Sequence, residues 1–282
     1  MSKRDRDREE PMIIASADEL LRPATRRKFV RMLGVGGAIV MLPSVFTACD
    51  DDDDITGNQS PPPPPTVTSV TFDLRTDVGI FRLVHALEIV ERTFYTAVVT
   101  KSNFTTLFDA DAQEVLRDIR NVETIHEAFL RNALGTLALP DFSAQLNQTT
   151  LATALANRES ILTTARMLES NGVAGLNGAG KYIKDARNLL VAGKVASVEA
   201  RHLAALRDLQ PPAGVTANVA FASNETIDAN GMDIKLEAGD VLARVKAANV
   251  IAEPLNSAIT IGNAPDATTQ GQPTDNFFPA NP

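Results

Sequence analysis

The chain is expected to fold as an all-α, antiparallel four-helix bundle, and three observations lead there. From Asp77 to Leu209 four long stretches carry apolar residues at helical spacing, without the alternation of a half-buried strand. Turn-like or irregular segments, KSNFTT at 101–106 and LALPDFSAQLNQ at 137–148, separate them. The skeleton Glu-x-x-His then occurs twice, in NVETIHEAF (121–129) and SVEARHLAAL (197–206), and positions i and i+3 share a helix face.

Read in chain order, residues 1–48 are a signal segment: a basic cluster (Arg26, Arg27, Lys28, Arg31) precedes an apolar run from Met32 to Ala48. Thr25-Arg26-Arg27-Lys28-Phe29-Val30 resembles the twin-arginine export signal, whose route carries proteins already folded. Phe46-Thr47-Ala48-Cys49 resembles a bacterial lipobox, in which the cysteine is lipidated and becomes the mature N-terminus. These resemblances imply export to the periplasmic or cell-surface side and a membrane anchor on Cys49, the one cysteine. Residues 49–74 follow as a tether, in which Asp50 to Asp54 repel one another and Pro61 to Pro65 form a semi-rigid spacer. The net charge of −8, with basic residues concentrated in the signal, argues against a nucleic-acid partner, which requires a basic stripe. No later apolar run is long enough to span a bilayer.

Residues 75–210 hold the bundle. Helix A begins at Asp77, carries Val78, Phe81, Val84, Leu87 and Val90 at three-residue steps, then Phe94 and Val98, and ends at KSNFTT. Helix B runs from about Asp109 to Leu137, with Val115, Ile119, Val122, Phe129 and Leu130 available for one face. Thr149 or Thr150 caps helix C, which carries Leu151, Leu155, Leu162 and Leu168. GVAGLNGAG at 172–180 reads two ways: its glycines end helix C, or its small residues admit a close neighbour. Helix C is carried through part of it. Helix D spans about Lys184 to Leu209, with Gly193 a candidate kink and Pro211 and Pro212 as its stop. Residues 211–282 form a C-terminal extension: VTANVAFASNETI is strand-like in composition, LEAGDVLARVKAANVI is one short helix, and 263–282 is turn-rich.

The two Glu-x-x-His copies are improbable by accident. Glutamate fills about one position in twenty, so two of the three histidines having Glu at i−3 is an event of order one per cent. Helix A offers Glu88, and helix C offers Glu169. One Glu from each of two helices plus Glu-x-x-His from the other two is the donor count of a carboxylate-bridged dinuclear site in a bundle. Four anionic and two imidazole side chains suit two Fe or Mn ions.

Residues on the arms of an antiparallel hairpin lie level when the turn falls midway between them. The midpoint of Glu88 and Glu123 falls in KSNFTT, and that of Glu169 and Glu199 at Lys184. The 135–148 segment reaches roughly 45 Å when extended, enough for a long crossover between helices B and C along the bundle. Around this site Tyr95 is either a core residue or a hydrogen-bond partner of a ligand. Glu91 stands behind the ligands or, the favoured expectation, at the surface. His85 reads as an ordinary structural histidine, Glu127 as pointing away and Glu159 as solvated.

Helix A with LEIVERTFY, helix B with VETIHEAFLRNAL, helix C with LESNGVAGLNGAG and helix D with VEARHLAALR together resemble the ferritin-like domain family. Within it they are most similar to the branch that includes plant desiccation-related proteins and their exported bacterial relatives. The resemblance covers about residues 75–210 and departs at Gly175 and Leu176, where an aromatic is usual. It implies that Glu88, Glu123, His126, Glu169, Glu199 and His202 are metal ligands, with Glu123 and Glu199 bridging. Three functions follow from it: a di-iron or di-manganese oxidoreductase acting on dioxygen or peroxide, a non-catalytic metal-binding stress protein, and iron storage. A stalk and a long C-terminal tail fit poorly with a storage cage, which ranks last.

Overall fold

The computed structural model describes residues 66–221 and 226–265. The expectations for the signal, Cys49, the acidic block and the proline run lie outside the described residues.

Each long helix starts on a side-chain cap that satisfies a free N–H of its first turn. Helix α1 (Asp77–Val99) is capped by Thr76, whose hydroxyl accepts from Gly79 N at 3.0 Å. A short helix α2 (Phe104–Leu107) forms inside the expected turn, and α3 (Ala110–Leu134) starts on Asp109, which accepts from Ala112 N at 2.9 Å. Helix C departs from expectation by forming two helices, α4 (Gln148–Ala154) and α5 (Arg158–Ala179). The physical reason is a second cap: Asn157 and Ser160 exchange side-chain-to-backbone hydrogen bonds of 2.9 and 3.1 Å, a capping box that restarts the chain in a new direction. The cap of α4 is Asn147, which accepts from both Thr149 N and Thr150 N. Helix α6 (Ala186–Leu209) starts on Asp185 and continues through Gly193.

The buried faces also differ from the apolar pattern. On α3, Phe129 is 47% exposed, whereas Leu116, Ile119, Glu123, His126, Glu127 and Leu130 are buried. At about 100° per residue, Val122 and Phe129 flank the centre of this face, which the charged residues occupy. Val78, placed on the inner face of helix A, is 41% exposed, and Ile80, Leu83 and Ile89 are buried beside the expected Val84, Val90, Phe94 and Val98.

Contacts at the two ends fix the direction of each helix. The Asp77 carboxylate accepts from Lys184 N at 2.7 Å, Asp185 N at 3.0 Å and Asn188 Nδ2 at 2.9 Å, so α1 and α6 begin at the same end. The Arg158 guanidinium lies 5.8 Å from the Phe108 ring centre, which puts the start of α5 beside the α1–α3 turn. The connection from α3 to α5 therefore crosses the length of the bundle. It runs along α1: Leu139 N donates to His85 Nδ1 at 3.3 Å, and Arg92 Nη2 donates to Asp141 Oδ2 at 2.9 Å.

The segments flanking the bundle are structured and not only spacer. Strand β1 (Val70–Asp73) pairs in parallel with β2 (Ile259–Asn263), Val70 opposite Ile259 and Phe72 opposite Ile261. The tether expected up to residue 74 thus ends sooner, because Val67, Val70, Phe72 and Leu74 are buried. Between the strands lie α7 (Ala217–Ala220), α8 (Ala238–Ala247) and α9 (Leu255–Ala258), with Val241 and Val245 of α8 buried. Strand-like VTANVAFASNETI contributes α7 and no strand among its described residues. The glycine-rich stretch stays helical and admits a close neighbour: a Cβ on Gly178 would sit 1.8 Å from the carbonyl oxygen of Leu236, whose N–H donates to Ala174 O at 2.8 Å. No helix among the described residues is long and apolar enough to cross a membrane.

Burial alone would raise the Asp77 carboxyl, but hydrogen bonds from Asn188 and the Lys184 and Asp185 amides outweigh it and hold it below its ordinary 3.8. A depressed folded-state value means the stabilisation is full above the unfolded value and is lost as pH falls through the folded one. Asp77→Ala should cost about 1–2 kcal/mol at pH 7. The gap between wild type and variant in urea unfolding should close as the buffer is taken below pH 3.8; a constant gap would refute the latch.

Candidate metal centre

Helices α1, α3, α5 and α6 bring six ionisable side chains to one level of the bundle. Glu88 comes from α1, Glu123 and His126 from α3, Glu169 from α5, and Glu199 and His202 from α6. The four glutamates are at most 2% exposed, and His126 and His202 are 9% and 8% exposed. His126 Nδ1 lies 3.0 Å from Glu199 Oε1, 3.2 Å from Glu123 Oε2 and 3.5 Å from Glu88 Oε2. His202 Nδ1 lies 2.7 Å from Glu123 Oε1 and 3.3 Å from Glu169 Oε2. Glu123 thus spans both histidines, whose ring centres are 6.4 Å apart.

These donors fall into two overlapping groups, Glu88, Glu123, His126 and Glu199, and Glu123, Glu169, Glu199 and His202. Within each group one ligand atom per residue lies within 4.8 Å of the others, so each could hold a metal ion. Glu123 and Glu199 belong to both. Apart from the His126 Nδ1–Glu123 Oε2 pair, this proximity is not hydrogen bonding: Glu88 Oε2, Glu123 Oε1, Glu169 Oε2, both Glu199 oxygens and His202 Nδ1 are buried with no hydrogen-bond partner. Native interiors seldom leave one such group unsatisfied, and six at one level is an arrangement that invites cations. The donor set therefore fits a pair of metal ions.

Electrostatics at the site follow from burial and crowding. Burial, reinforced by the neighbouring carboxylates, pushes Glu88, Glu169 and Glu199 well above the ordinary carboxyl value. Burial acts the same way on Glu123, but the His126 and His202 rings beside it outweigh it and bring that carboxyl to about 2. For His126, burial favours the neutral ring, and the contacts to Glu123, Glu199 and Glu88 overcome it and raise its value.

Tyr95 donates to Glu169 Oε1 at 2.5 Å and is fully buried, which decides between its two readings in favour of the hydrogen bond, here to a carboxylate of the cluster. Glu91 is 3% exposed, correcting its expected place at the surface: it sits one turn beyond Glu88, on the same inward face of α1. His85 is structural, with Nδ1 accepting from Leu139 N and Nε2 3.3 Å from Glu127 Oε1. Glu127 does point away from the six, yet it is buried and also pairs with Arg131. Glu159 is exposed. Sequence reasoning missed Gly172, where a Cβ would stand 3.2 Å from Glu199 Oε2. Its signal was the small-residue run, but the neighbour it makes room for is a carboxylate of the site.

The sequence model of the ferritin-like domain family matches residues 76–211. This segment, with its antiparallel pairs and long crossover, has the fold of a ferritin-like bundle, and the match supports that family for it. Searches of curated proteins and of solved structures each returned no match.

Tyr95→Phe would leave Glu169 Oε1 buried without its hydrogen bond. The expected loss of unfolding free energy in urea is about 1–3 kcal/mol with the helical circular dichroism unchanged. A loss below 0.5 kcal/mol, on the order of a neutral surface change, would refute the contact.

Proposed function

We propose that the domain binds a carboxylate-bridged pair of Fe or Mn ions. Glu88 and His126 would serve one ion, Glu169 and His202 the other, and Glu123 and Glu199 both. The observation that carries this reading is that the two donor groups share Glu123 and Glu199, and that Glu123 Oε1 and both Glu199 oxygens are buried and lack hydrogen-bond partners. Charge supports it: four carboxylates carry −4 and two divalent cations +4, so the filled site is neutral in a medium where uncompensated charge is costly. Both histidines turn Nδ1 toward the carboxylates, which supports that atom as the one that would meet an ion.

Bound Fe or Mn would supply redox and Lewis-acid chemistry toward dioxygen or peroxide. The protein's own part is to fix the donors: Tyr95 orients Glu169 through a hydrogen bond, Gly172 keeps Glu199 free of a crowding side chain, and the apolar residues of α1 and α5 exclude bulk water. An exported di-metal oxidoreductase is the reading we advance. The alternative is a metal-binding stress or desiccation-related protein in which the ions only stabilise the bundle, and iron storage ranks below both. The sequence at 25–49 supports export in the folded state by the twin-arginine route and anchoring through lipidated Cys49.

Protein purified from its own host should contain two Fe or Mn per chain by elemental analysis, and His126→Ala/His202→Ala fewer than one. Wild type holding less than one metal per chain overturns the proposal. Peroxide consumption faster than that of the double variant supports the oxidoreductase; equal rates leave the stabilising role. For the anchor, Cys49→Ser should move the mature protein from the membrane to the soluble fraction, and mass spectrometry should find an acylated Cys49 at the wild-type N-terminus. An unmodified wild-type cysteine would refute it.

A further inference from the structure

On the flank where α3 and α6 run side by side, apolar residues stay uncovered among the described residues. Ile125 and Phe129 of α3 and Leu190 of α6 are 63%, 47% and 60% exposed. Val122 and Phe129 lie seven residues apart, as do Val191 and Val198, so each pair lines one face of its helix. Val122 directly precedes Glu123 and Val198 directly precedes Glu199, which turns both about 100° from the inward centre of their helices. His126, which reaches Glu199 on α6, and His202, which reaches Glu123 on α3, lean to the same side. The valines, half-buried, therefore line a groove between the two helices. An exposed apolar surface of this kind marks a contact.

The metal-donor cluster lies at the floor of this groove. His126 and His202 keep more exposure than the four glutamates. Their Nδ1 atoms face the carboxylates, so that exposure falls on the far edge of each ring. The rims of the groove differ in charge. Asp118 lies seven residues before Ile125 on α3, Lys194 and Arg201 lie seven apart on α6, and all three are exposed. Among the described residues Asp118 has no ion-pair partner, and Arg201 bonds the Ser197 hydroxyl at 3.0 Å without meeting a carboxylate.

Because α3 and α6 run in opposite directions, Asp118 and Arg201 lie on the same side of the Glu123 and Glu199 level, about 7.5 and 3 Å from it. An arginine side chain spans the difference. A two-fold axis along the groove lays α3 of each copy over α6 of the other at equal height. Acidic rim then meets basic rim twice, and Ile125 and Phe129 meet the valines and Leu190. An axis across the groove would instead stack α3 on α3, like charge on like.

We propose that this groove is the contact between two copies of the chain, with Asp118 of each copy paired to Arg201 of the other and the His126 and His202 rings covered. Each copy thereby closes the other's cluster to water. The contact is apolar and ionic and needs no metal, so it does not rest on the di-metal reading.

The test is sedimentation velocity of full-length Cys49→Ser protein, which lacks the attachment point for a lipid. A particle of twice the chain mass is expected. Phe129→Glu, a change at an exposed position, should sediment as a monomer. Asp118→Arg and Arg201→Asp each set like charges together twice and should weaken the dimer at least about tenfold, whereas the double reversal should return to within about threefold of the parent. Diethyl pyrocarbonate should modify His126 and His202 faster in the Phe129→Glu monomer than in the dimer. If Phe129→Glu fails to fold by circular dichroism, the charge reversals decide. A monomeric parent, a dimer that survives Phe129→Glu, a double reversal no better than the single ones, or equal modification rates overturns the proposal. A monomer that binds vesicles of anionic phospholipid also overturns it, and assigns the groove to a lipid surface. None of these readouts measures metal, so a failure here is distinct from a failure of the di-metal reading.

Discussion

Four carboxylates buried at one level against two imidazoles set the terms for the rest of the fold. Uncompensated, such a cluster is unfavourable by several kcal/mol per charge, and only convergence from every side lets the groups offset one another. Glu123 shows how: its two oxygens reach His126 at 3.2 Å and His202 at 2.7 Å, tying α3 to α6 through one side chain. That requirement fixes the register of both helical hairpins. A slip of one residue on any helix shifts a donor by about 1.5 Å and rotates it by about 100°, which breaks the level.

The crossover is stabilised by a different arrangement of similar groups. Glu127, next in sequence to His126, is also buried, but its oxygens meet His85 Nε2 at 3.3 Å and Arg131 at 3.2 Å. Leu139 N donates to the other His85 nitrogen, which leaves Nε2 to carry the proton toward Glu127. A buried carboxylate with protein partners, stitched to the connection between α3 and α5, is a structural element. Its contrast with the partnerless oxygens of Glu199 is what separates scaffold from site.

Much of this was readable because helical periodicity and turn position are local properties. Glu88, Glu123, Glu169 and Glu199 are level because the turns fall near their midpoints, and that arithmetic needs no coordinates. The misses share a non-local cause. Phe129 looked like core because it is apolar, but polar residues held the centre of that face. The break before Asn157 is a capping competition that hydrophobic spacing does not register. Strand β1 depends on a partner nearly two hundred positions away, and a four-residue strand has too few residues for its pattern to be distinctive. Glu91 was misplaced for the reason that makes it interesting: a glutamate is expected at the surface unless something inside needs it.

The glycines of α5 connect these levels of organisation. At Gly172 the missing side chain makes room for Glu199, at Gly175 for Val241 of α8, and at Gly178 for the backbone at Leu236. Three-residue steps drift by about 60° around a helix, so a single run of small residues turns from the site toward the extension within two turns. A larger residue at Gly178 would meet backbone, which cannot rotate away, and would lift the extension from α5. Through α5, displacement at Gly178 would also remove the wall that Ala238 and Val241 supply beside Glu88 and Glu91. The extension is therefore part of what encloses the buried carboxylates, and its packing on α5 ties the C-terminal segment to the chemistry of the bundle.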